Sequence, residues 1–172
     1  MRHRARTGLY AGALFAVLGA IAWGTGRPFV FPSLGPSAFL LAADPRRENG
    51  RPARIVGGHL IGGVVGLGAW WLIAGGAALT ATQPAFSPAG FRLAASATAS
   101  VVATSWAMVA TDAVHAPACA TTLIVSLGLL STPAEVAIIA GSVTALVGVH
   151  LGAARARERL GGGTRPPRAP TE

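Results

Sequence analysis

Residues 31–54 read FPSLGPSAFLLAADPRRENGRPAR, and the placement of this stretch decides the fold. Its first part is apolar but broken, because Pro32, Gly35 and Pro36 oppose a continuous helix. A helix over all thirteen residues of Phe31–Ala43 would cover only about 20 Å of a hydrocarbon core about 30 Å thick. Five extended residues followed by eight helical ones would cover about 28 Å. The second part carries Arg46, Arg47, Arg51 and Arg54. Their side of the membrane depends on whether the broken part crosses or turns back.

Four other segments are long enough to span as unbroken helices: Gly8–Thr25, Ile55–Leu79, Phe91–Thr111 and Pro133–Ala154. They reach about 27–37 Å. A second broken stretch, His115–Leu130, opens with His115-Ala116-Pro117. If both broken stretches cross, twelve of the fourteen arginines share one side and only Arg27 and Arg92 lie opposite. If both are re-entrant, the split is nine to five. Cytoplasmic flanks collect Arg and Lys, so six crossings are favoured, with both termini cytoplasmic and the protein in the plasma membrane. The Met1–Gly24 segment is expected to be an uncleaved first helix, since equally apolar segments follow it.

Composition agrees with a bilayer environment. Hydrophobic residues make up 52% of the 172 and charged residues 12%, too little charge to cover a soluble domain without large exposed apolar patches. The net charge of +8 is bunched at segment ends, with no interleaved aromatics, which argues against a nucleic-acid partner. The one cysteine, Cys119, rules out an intrachain disulfide. No metal-ligand or nucleophile motif occurs, so no metal, cofactor or enzymatic activity is expected.

The fold class expected is therefore an all-α transmembrane bundle. Each half runs helix, broken segment, helix, and Gly35–Leu41 aligns with Cys119–Val125 as small and hydroxyl residues followed by three large apolar ones. Three crossings per half would make this an inverted repeat, with halves at about 8–79 and 91–154. Residues 1–7 form a basic cytoplasmic N-terminus and residues 156–172 a basic, disordered tail. Small residues recur every four positions at Gly58/Gly62/Gly66, Ala95/Ala99/Ala103/Ala107 and Gly148/Gly152. Such rows pack helices closely, within the chain by preference or across a homo-oligomer.

Irregular backbone in a bilayer must face protein or water, so two broken segments point to a polar meeting place. In the inverted arrangement both short-helix N-termini would face it and favour an anion. The candidate binding residues are Ser33, Gly35, Pro36, Ser37, His115, Pro117, Cys119, Thr121 and Thr122. The alternative is that these hydroxyls only cap helix ends. His59 and Asp112 are candidates for gating or proton coupling, Asp112 by pairing with His115, or else as an interfacial carboxylate. Thr132-Pro133-Ala134-Glu135 has the form of a capping box, so Glu135 reads as structural.

Three stretches together resemble the HPP family of integral membrane proteins: Phe31-Pro32-Ser33-Leu34-Gly35-Pro36-Ser37-Ala38, Gly57-Gly58-His59-Leu60-Ile61-Gly62, and His115-Ala116-Pro117-Ala118-Cys119-Ala120-Thr121-Thr122-Leu123. The last corresponds to the His-Pro-Pro stretch behind the family's name, with Ala116, Cys119 and Thr122 in place of Pro, Gly and Ala. The resemblance covers roughly Gly8 to Arg155. Family members have been linked to nitrite transport in chloroplasts and cyanobacteria and are usually described with four membrane helices. It implies a small channel or transporter for a monovalent anion, nitrite foremost, in a lipid bilayer. A non-transporting scaffold or ligand sensor is the alternative, and an intramembrane enzyme using Asp112 and His115 ranks last.

Overall fold

The computed structural model describes residues 2–43 and 51–161. They form six helices: α1 (Arg2–Thr25), α2 (Leu34–Ala43), α3 (Pro52–Ala69), α4 (Pro88–Ala110), α5 (Pro117–Ser126) and α6 (Pro133–Gly161). Helix α3 continues through a π-helical turn, Trp70–Ala74, which ends at Gly75 in the left-handed conformation (φ 61°). Four stretches are long and apolar enough to span a bilayer: Ala5–Thr25, Pro52–Ala74, Pro88–Ala110 and Pro133–Leu160. The ten-residue α2 and α5 cover only about 15 Å each.

Local chemistry sets the boundaries. Helices α3, α4, α5 and α6 all begin on a proline, whose fixed φ and missing N–H cost nothing at the first helical position. Ser87 caps α4 by accepting from the Gly90 amide at 3.1 Å. At α6 the capping box forms reciprocally: the Thr132 amide donates to Glu135 Oε2 (2.9 Å) and the Glu135 amide to Thr132 Oγ1 (3.2 Å). Helix α5 ends in a Schellman turn. Leu129 N–H donates to Ile124 O and Gly128 N–H to Val125 O, both at 3.0 Å, with Gly128 at φ 76°.

Contacts fix the helix directions. Gly58, Gly62 and Gly66 meet residues 113–118, 118–122 and 122–125 in turn, so α3 and α5 run parallel. Ser33 meets Thr121 while Ser37 meets His115, so α2 runs antiparallel to α5. Arg54 pairs with Asp112 at one end of α3 and α4, and Arg92 lies over Gly75 at the other. Tyr10 bonds His150 while Arg6, one turn earlier, shares a cavity with Arg157, so α1 and α6 run antiparallel, and Ala42 at the end of α2 lines that same cavity. Residues 26–43 thus return the chain to the end from which α1 set out.

The apolar core joins Leu14 and Leu18 of α1, Leu34 and Leu41 of α2, Ile55 of α3, Val125 of α5 and Ile139, Val143 and Leu146 of α6. Large apolar side chains also cover the outside, among them Trp23, Val64, Leu72, Val102 and Trp106. That surface suits lipid contact.

The small-residue rows behave differently from one another. Side chains added at Gly58, Gly62 and Gly66 would come within 2.7–2.9 Å of α5 or the His115 stem, so this row packs inside the chain. The alanine row of α4 is not its buried face: Ala99 and Ala103 are exposed and Ala95 and Ala107 half-buried, whereas Leu93, Ser96, Ser100, Thr104 and Met108 are buried. It is offset because Ser96 and Thr104 bond across to α5 and the alanines cannot. Gly148 and Gly152 have nothing within 4 Å of an added Cβ. Helix α6 also takes in residues 156–161, so the tail expected from 156 is helical to Gly161. The remainder of the tail and residues 44–50 of the arginine loop lie outside the described residues.

Candidate functional site

Where α2, α3 and α5 meet, five polar side chains, each 0% exposed, form one connected chain: His115, Ser37, His59, Thr121 and Ser33. Ser37 Oγ lies 2.8 Å from His115 Nε2 and 2.9 Å from His59 Nε2, bridging the two imidazoles. His59 Nδ1 is 2.6 Å from Thr121 Oγ1, which is 2.7 Å from Ser33 Oγ. The rings are tilted at 58° with centroids 5.1 Å apart.

Sequence explains the placement. Ser33, in the turn that leads into α2, and Ser37 in the first turn of α2 are four residues apart, and both face α5. His59 follows Gly58, whose missing side chain lets the His115 stem approach: an added Cβ would sit 2.9 Å from His115 Cβ. One proton assignment satisfies the whole chain with both rings neutral. Both Nε2–H groups donate to Ser37 Oγ, which donates to the Ser33 carbonyl (3.3 Å). Thr121 then donates to His59 Nδ1, and Ser33 to Thr121. Such a chain can reverse polarity bond by bond, so it can hold a proton at either imidazole.

Thr122, next to Thr121 on α5, faces another helix. Its hydroxyl lies 2.8 Å from that of Thr104 on α4 and donates to the Ala118 carbonyl at 3.3 Å. Ser96 donates to the Ser126 carbonyl at 3.0 Å, while the buried Ser126 hydroxyl has no partner among the described residues. Hydroxyls therefore line α5 from its second turn to its last residue, at Thr121, Thr122 and Ser126.

Of the residues singled out from sequence, Ser33, Ser37, His59, His115 and Thr121 come together directly, and Thr122 lies alongside. Pro117 is buried at the start of α5, Gly35 and Cys119 are half-buried, and Pro36 is exposed on α2; none of these four joins the chain. The Gly35 and Cys119 amides, expected as open donors, close onto Pro32 O (3.3 Å) and Ala116 O (3.1 Å), because the residues before each helix already coil. The short helices also lie side by side over their first turns instead of meeting head to head.

The Asp112–His115 pair does not form. Asp112 sits in the left-handed region (φ 53°) as the turning residue of a Schellman motif, with Ala113 N–H donating to Met108 O at 2.9 Å. That turn swings its carboxylate outward, 79% exposed, onto Arg54 Nη2 at 2.7 Å. Thr104, Ser96 and Ser100 were not legible as site residues, although their four-residue spacing marks a polar helix face. Among the described residues no group of three or more metal-binding side chains occurs.

Four helices long and apolar enough to span and two short ones, around a buried imidazole–hydroxyl chain, define a multi-pass α-helical membrane protein. The chain belongs to the HPP family: the model of the HPP transmembrane region matches residues 1–164. Neither a search of curated proteins nor one of solved structures finds a match.

Proposed function

We propose that this protein carries a small monovalent anion, nitrite-like in size and charge, across the plasma membrane together with one proton. The observation that carries the reading is the bridge His59–Ser37–His115, buried at the junction of the two short helices. Only donors and neutral acceptors line it. In a low-dielectric bundle a lone anion is costly to bury, and a proton on one imidazole offsets its charge.

One proton per anion follows from the spacing. Two positive charges 5.1 Å apart would repel by about 3 kcal/mol at an effective dielectric of 20, so the second protonation is opposed. The hydroxyls of Ser37, Thr121 and Ser33 exchange their mutual bonds for bonds to the anion. The return of residues 26–43 to the starting end of α1 supports six passes, two inverted halves and both termini on the arginine-rich, cytoplasmic side.

The test is uptake into vesicles reconstituted with the pure protein, comparing nitrite, nitrate, formate and chloride with and without an imposed pH gradient, against protein-free vesicles. Protein-dependent flux that an inward proton gradient accelerates supports the reading, and H59Q and H115Q should abolish that acceleration. No flux from folded, inserted protein would leave a scaffold or sensor. Flux unaffected by both substitutions would remove the imidazoles from the mechanism.

A further inference from the structure

A second site lies at the end of the bundle where α1 begins and α6 finishes. Tyr10 OH is 3.0 Å from His150 Nδ1, which fixes the phenol between the helices. Arg157 Cζ stacks 4.6 Å above the Tyr10 ring centroid, a cation–π contact that holds the guanidinium in place without neutralising it. Arg6 lies one turn before Tyr10 on the same face of α1. With Thr7 and Ala42 these residues line a cavity of about 180 Å³, room for about six waters at ~30 Å³ each.

Neither Arg6 nor Arg157 has an acidic partner among the described residues, where Arg54–Asp112 is the one ion pair found. Two guanidiniums that no described carboxylate neutralises thus share one cavity with a phenol. Planar, many-donor guanidinium groups suit a phosphate. The position suits one source of phosphate in particular. Arg6 and Arg157 fall near the outer ends of the spans Ala5–Thr25 and Pro133–Leu160, at headgroup level, and Leu9 and Leu160 beside them are exposed. An acyl chain can lie on that apolar surface while its phosphate enters the cavity.

We propose that the Arg6–Thr7–Tyr10–Arg157 cavity binds the phosphodiester of an anionic phospholipid, with net negative headgroups preferred over zwitterionic ones. A choline or ethanolamine cation would repel the guanidiniums, whereas a glycerol headgroup would not. This site is separate from the imidazole chain, and its test does not depend on flux.

The experiment is native mass spectrometry of the full-length protein in detergent, titrated with phosphatidylglycerol, phosphatidylcholine or inorganic phosphate. One phosphatidylglycerol per chain should stay bound under activation that strips phosphatidylcholine. The double variant R6Q/R157Q should weaken that binding by about thirtyfold, and R155Q, at the same end but outside the cavity, should not. If the double variant fails to fold, R6Q alone at an exposed position should lower affinity by about fivefold. Equal retention of both lipids, or an equal loss with R155Q, would overturn the site. Saturation by inorganic phosphate that displaces the lipid would instead assign the cavity to a soluble phosphate and refute the lipid assignment.

Discussion

Replacing Ser37 with alanine tests whether the imidazole–hydroxyl chain holds the bundle together. The hydroxyl contacts two ring nitrogens at 2.8 and 2.9 Å and the Ser33 carbonyl at 3.3 Å. Its removal deprives both imidazoles of that bond in a site with no exposure. In a water-soluble protein two buried groups left short of a partner would cost about 2–6 kcal/mol. Between helices in a bilayer each such bond contributes about 0.6 and at most about 1.7 kcal/mol, because the dissociated helices also find partners. Two bonds therefore set the expected loss at about 1–3 kcal/mol. Reversible unfolding in mixed micelles of increasing SDS, followed by the fluorescence of the four tryptophans, reads this directly. Combining S37A with T121V adds a sharper condition. Both touch His59, so their losses should fall short of additivity by about 0.5 kcal/mol or more. A loss under about 0.3 kcal/mol for S37A, or simple additivity in the pair, would refute a single coupled network.

Gly62→Ala places a Cβ 2.7 Å from Ala118 O and 2.8 Å from Thr122 Oγ1. It should cost about 1–3 kcal/mol, while Gly148→Ala, with nothing within 4 Å, should stay within about 0.5 kcal/mol of the parent in the same SDS titration. Glu135→Ala removes one arm of the α6 capping box and should cost about 1 kcal/mol, with the early loss confined to the first turn by hydrogen exchange. Asp112→Ala removes an ion pair whose carboxylate is 79% exposed. It should change stability by no more than about 1 kcal/mol and leave the pH response of uptake intact, in contrast to H59Q.

Much of the architecture was legible because hydrophobic length is a strong signal in a membrane chain. All four long spans and both short helices fall where apolar runs and breakers place them. The apolar runs begin at Ile55 and Phe91, three residues after α3 and α4 do, because hydrophobicity rises only once the helix is under way. Pro52 and Pro88 were the better markers. Pro117 reads as a breaker and is in fact the first residue of α5. The hydroxyls of the site were legible from their clustering in the broken segments. Which partner each would choose was not. Thr121 and Thr122 are neighbours in sequence and bond different helices, a consequence of the roughly 100° turn per residue. Asp112 and His115 are three apart, and the left-handed conformation of Asp112 itself turns its side chain away. The Tyr10–His150–Arg157 cluster joins residues 140 apart and has no local signature.

The glycine row of α3 has a mechanical consequence. Where large side chains interlock, the interface itself fixes how far along one helix its neighbour sits. Here Gly58, Gly62 and Gly66 present bare backbone to α5, and a smooth surface with a four-residue repeat carries little information about registry. The hydroxyl bonds at Thr121 and Thr122 supply it, locking α5 against α2, α3 and α4 at one level. The groups that would handle the proton are therefore also the catch that holds α5 in place, so a change in their bonding is felt along the whole of that helix.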